Sequence, residues 1–66
     1  MQIFINRTPR DVDERTTLAQ MLTREGIPAD GVAVAVDNRV VSRSEWAQTP
    51  LHEGARIIVI RAVCGG

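Results

Sequence analysis

Few side chains of this sequence could do chemistry, and their spacing narrows the field quickly. His52 is the single histidine and lies in the segment Leu51-His-Glu-Gly54, with no nucleophile or carboxylate at a spacing that suggests a dyad. It reads as a solvated turn residue. A zinc site needs about four ligands, commonly paired Cys and His. One of each, at positions 64 and 52, does not supply them, so no metal site is expected. The glycines at 26, 31 and 54 are spaced as turns, with neither GxGxxG nor GxxxxGK[ST] to cradle a phosphate. Asp11, Asp13 and Glu14 cluster, but such a cluster fits a solvated edge strand.

The last residues differ. Cys64-Gly65-Gly66 follows directly on an apolar run, so a strand passes into a segment without Cβ atoms at its two final positions. Such a segment can lie extended in a narrow channel and present the Gly66 carboxylate to another protein's active site. The plainer reading is a frayed end. Cys64 reads as a small tail residue. The sharper alternative has its thiol, two residues from Gly66, reacting with an activated acyl group or pairing with a partner cysteine; an unshifted thiol, with a pKa near 8.5, is only a few per cent thiolate at neutral pH. All eight cations are arginine and none is lysine. No side-chain amine is available for a Schiff base or for acylation.

Size and charge bound what can position these residues. Sixty-six residues and 7.3 kDa correspond to one domain. A chain this short buries about 60% of the surface its unfolded form exposes, so its core must be efficient. Its 44% hydrophobic content, gathered at Met1 to Ile5, Val32 to Val41 and Ile57 to Val63, is suited to that. Zero formal charge makes nucleic acid and anionic membrane poor partners. The apolar runs fall far short of the roughly 20 residues that cross a bilayer, and no signal peptide is apparent. With a single cysteine the expectation is a soluble protein of the cytoplasm.

Met1-Gln-Ile-Phe-Ile-Asn6 alternates with period two and predicts a first strand, with Met1, Ile3 and Ile5 on one face. Arg7-Thr8-Pro9 reads as a turn, and Arg10 to Glu14 as the returning strand with Val12 inward. Thr17-Leu-Ala-Gln20 has capping-box spacing and opens a helix over roughly 17–25, closed by Gly26 and Pro28. Ile27 is placed to fold back on Leu22. Val32 to Val36 is a third strand with its valines toward the helix, Asp37-Asn-Arg39 a turn, and Val40-Val41 the start of a fourth strand. Ser42 and Glu45 repeat the capping-box spacing before one helical or 3₁₀ turn that lays Trp46 on the core edge. Arg56 to Val63, long and β-branched, suits a central strand paired on both sides. One helix on one face of a mixed four- to five-stranded sheet makes the chain α+β.

Alternation also predicts a surface. With Ile57 and Val59 toward the helix, Ile58 and Ile60 face outward beside Phe4, and with Ala33 and Ala35 they form an exposed apolar patch next to the tail. Arg61, nearest the tail, either steers an acidic groove or solubilises the strand.

Three stretches of the sequence resemble a known family. The start Met-Gln-Ile-Phe-Ile-Asn, the segment from Val32 to Gln48 with its Val-Val-x-Arg-Ser-Glu-Trp run, and Gly65-Gly66 are similar to the ThiS family of bacterial sulfur carrier proteins. Ser42 stands where that family usually has proline. The resemblance implies a ubiquitin-like β-grasp fold over residues 1–63 and a flexible tail at 64–66. It further implies that a ThiF-type enzyme adenylates Gly66 with ATP and that a sulfur donor, such as a cysteine desulfurase or rhodanese, displaces AMP. The resulting thiocarboxylate would serve a ThiG-type thiazole synthase in thiamine biosynthesis. The chain would then be a cosubstrate without catalytic residues or a bound cofactor of its own. Terminal Gly-Gly also occurs in MoaD-like carriers for molybdopterin and in ubiquitin-like modifiers conjugated to proteins, and these are the alternative readings.

Overall fold

The computed structural model describes residues 1–61. The expected tail, with Cys64, Gly65 and Gly66, and the expected continuation of the last strand to Val63 lie outside the described residues. The first hairpin pairs β1 (Gln2–Ile5) with β2 (Thr8–Asp11) in antiparallel register, Ile5 opposite Thr8 and Gln2 opposite Asp11. The connecting turn is Asn6-Arg7 rather than Arg7-Thr8-Pro9, and the return strand begins at Thr8 rather than Arg10. Its φ angles of 47° and 72° are those of a tight primed turn, whose twist matches that of the flanking strands. Of the acidic cluster, only Asp11 is in the edge strand. Asp13 and Glu14 lie beyond it, where Asp13 Oδ1 accepts from the Arg15 amide at 2.9 Å.

The helix α1 (Leu18–Arg24) forms as its sequence predicts. Thr17 Oγ1 accepts from the Gln20 amide at 3.3 Å and the Gln20 side chain accepts from the Thr17 amide at 3.0 Å, a complete capping box. At the other end Gly26 adopts φ 71°, and its amide and that of Ile27 bond back to the carbonyls of Thr23 and Leu22. This pair of bonds is the Schellman closure, which needs a left-handed residue at the position that glycine fills. Leu18, Met21 and Leu22 are buried, and Ile27 packs partly against the same core.

The second hairpin joins β3 (Val32–Val36) to β4 (Arg39–Val41) through Asp37-Asn38, another tight primed turn with φ 50° and 69°. Arg39 therefore belongs to the strand and not to the turn. A 3₁₀ helix, Arg43–Gln48, follows, and here the second capping box does not form. Ser42 makes no side-chain bond, because 3₁₀ geometry already brings the Glu45 amide onto the Ser42 carbonyl at 2.8 Å. Trp46 is buried as expected, with Nε1 donating to the Val41 carbonyl at 2.9 Å.

β5 (Arg56–Arg61) is the centre of the sheet, whose order is β2-β1-β5-β3-β4. It runs parallel to β1 and antiparallel to β3. Ile3, Val34 and Ile57 from the three middle strands meet Leu18 and Met21 of the helix, and all five are essentially without solvent exposure. The fold is the ubiquitin-like β-grasp, with five strands and the helix covering one sheet face.

Candidate functional site

The other sheet face carries the predicted surface. Register sets Ile58 opposite Ala35 and Ile60 opposite Ala33, so the four side chains share one face of the β3–β5 pair. Ile58 is 37% and Ile60 60% exposed. Phe4 sits opposite Arg56, two residues before Ile58 along β5, and is half-buried, as is Ala35. The described part of β5 ends at Arg61, exposed and opposite Val32. The structure therefore brings Phe4, Ala33, Ala35, Ile58 and Ile60 onto one face and sets Arg61 at the exit of β5.

Val40 extends this face, although the sequence pattern alone does not place it there. It is 79% exposed and pairs with Ala35, in line with Ile58. The signal lay in turn length, because a two-residue turn at 37–38 sets Val40 opposite Ala35, whereas a three-residue turn does not.

Asn6 is the second residue found only in the structure. Its backbone amide bonds the Ile57 carbonyl at 2.8 Å. Its side chain then continues the β1–β5 ladder by one step, Oδ1 accepting from the Val59 amide at 2.9 Å and Nδ2 donating to the Val59 carbonyl at 3.3 Å. A side-chain amide thus serves as one further peptide unit of β1. It anchors the stretch of β5 that carries Ile58, Ile60 and Arg61.

His52 is solvent-exposed, as expected of a solvated turn residue, and in addition has a carboxylate partner that its sequence neighbours do not reveal. Its Nε2 lies 2.5 Å from Asp37 Oδ2 and its Nδ1 2.9 Å from the Glu53 carbonyl. Both ring nitrogens face acceptors, which favours the doubly protonated ring. The hydrogen bond to Asp37, helped by that carbonyl, pushes the imidazole pKa up. Asp37 is pushed down, first by the bond from His52 and then by the Arg56 amide, which donates to Oδ1 at 3.1 Å. The pair ties the β3–β4 turn to the loop before β5. It is exposed, and among the described residues no nucleophile hydrogen-bonds to it, so the pair acts there as a structural tie.

Among the described residues no group of His, Cys, Asp and Glu is arranged to hold a metal ion, and no helix is long and apolar enough to cross a membrane. What the arrangement offers is a face of aliphatic side chains; Arg61 stands next to it along β5 but, opposite Val32, alternates toward the other side of the sheet.

The ThiS family model matches residues 3–66 of this chain. The sulfur carrier protein ThiS of Escherichia coli K12 is 27% identical over 66 residues, covering the whole of both chains. The crystal structure of a thiamine biosynthesis protein (ThiS) from Geobacter metallireducens superposes with a TM-score of 0.86 at 23% identity, again over both chains in full. A solution structure of a thiamine biosynthesis protein from the same organism gives 0.77 at 23% identity, covering this chain and 88% of the other. At such identities the structures speak for the fold, and the family model speaks for descent. This chain belongs to the ThiS family.

Proposed function

We propose that the chain performs its role as a ThiS-family sulfur carrier of thiamine biosynthesis through its last residue, Gly66. The observation that carries this reading is that the family likeness runs through Gly66 and that the E. coli sulfur carrier is matched from end to end. A carboxylate is a poor electrophile, so the chemistry has two steps. The Gly66 carboxylate attacks the α-phosphorus of ATP on a ThiF-type enzyme, and pyrophosphate leaves. The terminal sulfur of a persulfide, carried by a donor such as a cysteine desulfurase or rhodanese, then attacks the acyl carbon of the adenylate, AMP leaves, and a thiol reductant cleaves the S–S bond of the resulting acyl disulfide. The product is a C-terminal thiocarboxylate, a soft nucleophile that a ThiG-type thiazole synthase can accept.

In this scheme the chain is a cosubstrate and the ATP is held by its partner. Gly65 and Gly66 keep the reacting end slim, and Cys64 contributes size rather than chemistry. The face built from Phe4, Ala33, Ala35, Ile58 and Ile60, with Arg61 at its edge, docks onto the activating enzyme. Exposed aliphatic side chains gathered on one face support that role. The missing lysines fit as well, since no side-chain amine of the chain competes for the acyl adenylate.

Incubation with ATP, a ThiF-type enzyme and a sulfur source should raise the intact mass by about 16 Da, oxygen replaced by sulfur. Deleting Gly66 should abolish the gain. A shift in the mass of some other protein, with this chain attached through Gly66, would instead favour a ubiquitin-like modifier.

A further inference from the structure

The two tight turns of the sheet share a geometry and differ in residue choice. Asp37-Asn38 uses residue types that tolerate left-handed backbone. Asn6-Arg7 places an arginine at φ 72°, at the position where this turn favours glycine. An unfavourable backbone conformation that persists at an exposed turn points to a use for the side chain.

Arg7 lines a shallow concavity with Phe4, Asn38, Arg56, Ile57 and Ile58. Phe4 and Ile58 make it apolar, and Arg7 and Arg56 make it cationic. Among the described residues neither guanidinium has a carboxylate at ion-pairing distance; the arginines that do are Arg10, with Glu25, and Arg43, with Asp30. Asp37 stands at the neighbouring turn and feels the charge of Arg56. Its two oxygens are nevertheless engaged, Oδ2 by His52 and Oδ1 by the Arg56 amide. A cationic and apolar hollow on a chain of zero net charge is complementary to an acidic residue flanked by an apolar one.

Resting on the reading that an adenylating enzyme docks on this sheet face, we propose that the concavity receives an acidic segment of that enzyme. A carboxylate is held by Arg7 and Arg56, and a neighbouring apolar side chain packs on Phe4 and Ile58. Guanidinium groups suit this task because their fixed fork of donors matches a carboxylate.

Arg7→Gly separates this role from a structural one, because glycine suits the turn better than arginine does. The variant should melt at or above the wild-type temperature. In ATP–pyrophosphate exchange catalysed by the ThiF-type enzyme, its KM should rise about tenfold with kcat unchanged, and the rate should lose part of its salt dependence. Arg56→Gln should raise KM similarly. A KM for Arg7→Gly within about twofold of wild type, in an assay where wild type is adenylated, overturns the inference and leaves the carrier reading standing. Failure of the wild-type chain to support exchange at all overturns both.

Discussion

The two faces of the sheet are made from the same strands and nearly the same residue types, yet they do opposite things. On β5, Ile57 has no solvent exposure while its neighbour Ile58 is 37% exposed and Ile60 is 60% exposed. On β3, Val34 is buried and Ala33 and Ala35 on the other side are small. One face packs its aliphatic surface on the helix, and the other leaves it exposed to solvent. A domain this small has little hydrophobic surface to spare. Aliphatic side chains held away from the core are what the proposed docking surface requires, whereas composition by itself does not distinguish the two sets of isoleucines.

Substitutions across the two faces test that difference. The largest effect is expected on the covered side, where Ile57→Ala removes buried methyl groups and leaves a cavity costing about 2–5 kcal/mol. In a domain of this size each kcal/mol lowers the melting temperature by roughly 4–8 °C, so thermal unfolding would reveal it readily. A loss below about 1 kcal/mol would mean the two faces are not distinct. On the open side, Ile60→Glu should leave the melting temperature nearly unchanged and raise KM for adenylation at least tenfold, about 1.4 kcal/mol of docking energy. Unaltered adenylation kinetics would remove the open face from the account.

The smallest effect belongs to His52 and Asp37, which lie off both faces. The raised pKa of His52 gives a stabilisation that is complete below about pH 6.5, where free histidine titrates, and is lost as pH rises through the higher folded value. The lowered pKa of Asp37 gives one that is present above about pH 3.9 and lost as pH falls through the lower folded value. The pair contributes most between those limits. Relative to wild type, His52→Gln should lower the melting temperature more near pH 5.5 than near pH 8.5, by an amount kept small because both side chains are exposed and screened by solvent. An equal difference at both pH values would contradict the pairing, and a change in adenylation kinetics at fixed pH would tie the pair to docking.

The elements legible in the sequence were those fixed by neighbours in the chain. Thr17 with Gln20, and Gly26 with Ile27, state both ends of the helix locally, and the alternation of β3 and β5 states which residues face it. The turn lengths were not legible. Neither Asn6-Arg7 nor Asp37-Asn38 carries the glycine that marks a two-residue turn, so the local sequence sets the start of the first return strand too late and gives no sign that Val40 joins the open face. The Ser42 box failed because a 3₁₀ helix satisfies the amide that the side chain would have bonded. Asn6 on Val59 and His52 on Asp37 depend on segments far apart in sequence that only the completed sheet brings together. The apolar part of the candidate surface could be read from alternation, but its cationic hollow required the turns to be placed.

Locating the sulfur within the chain tests the central claim most directly. After reaction with ATP, a ThiF-type enzyme and a sulfur source, fragmentation of the C-terminal peptide should place a gain of about 16 Da on Gly66, with Cys64 unmodified. A gain of about 32 Da on Cys64, the signature of a persulfide, with Gly66 unchanged would contradict the account.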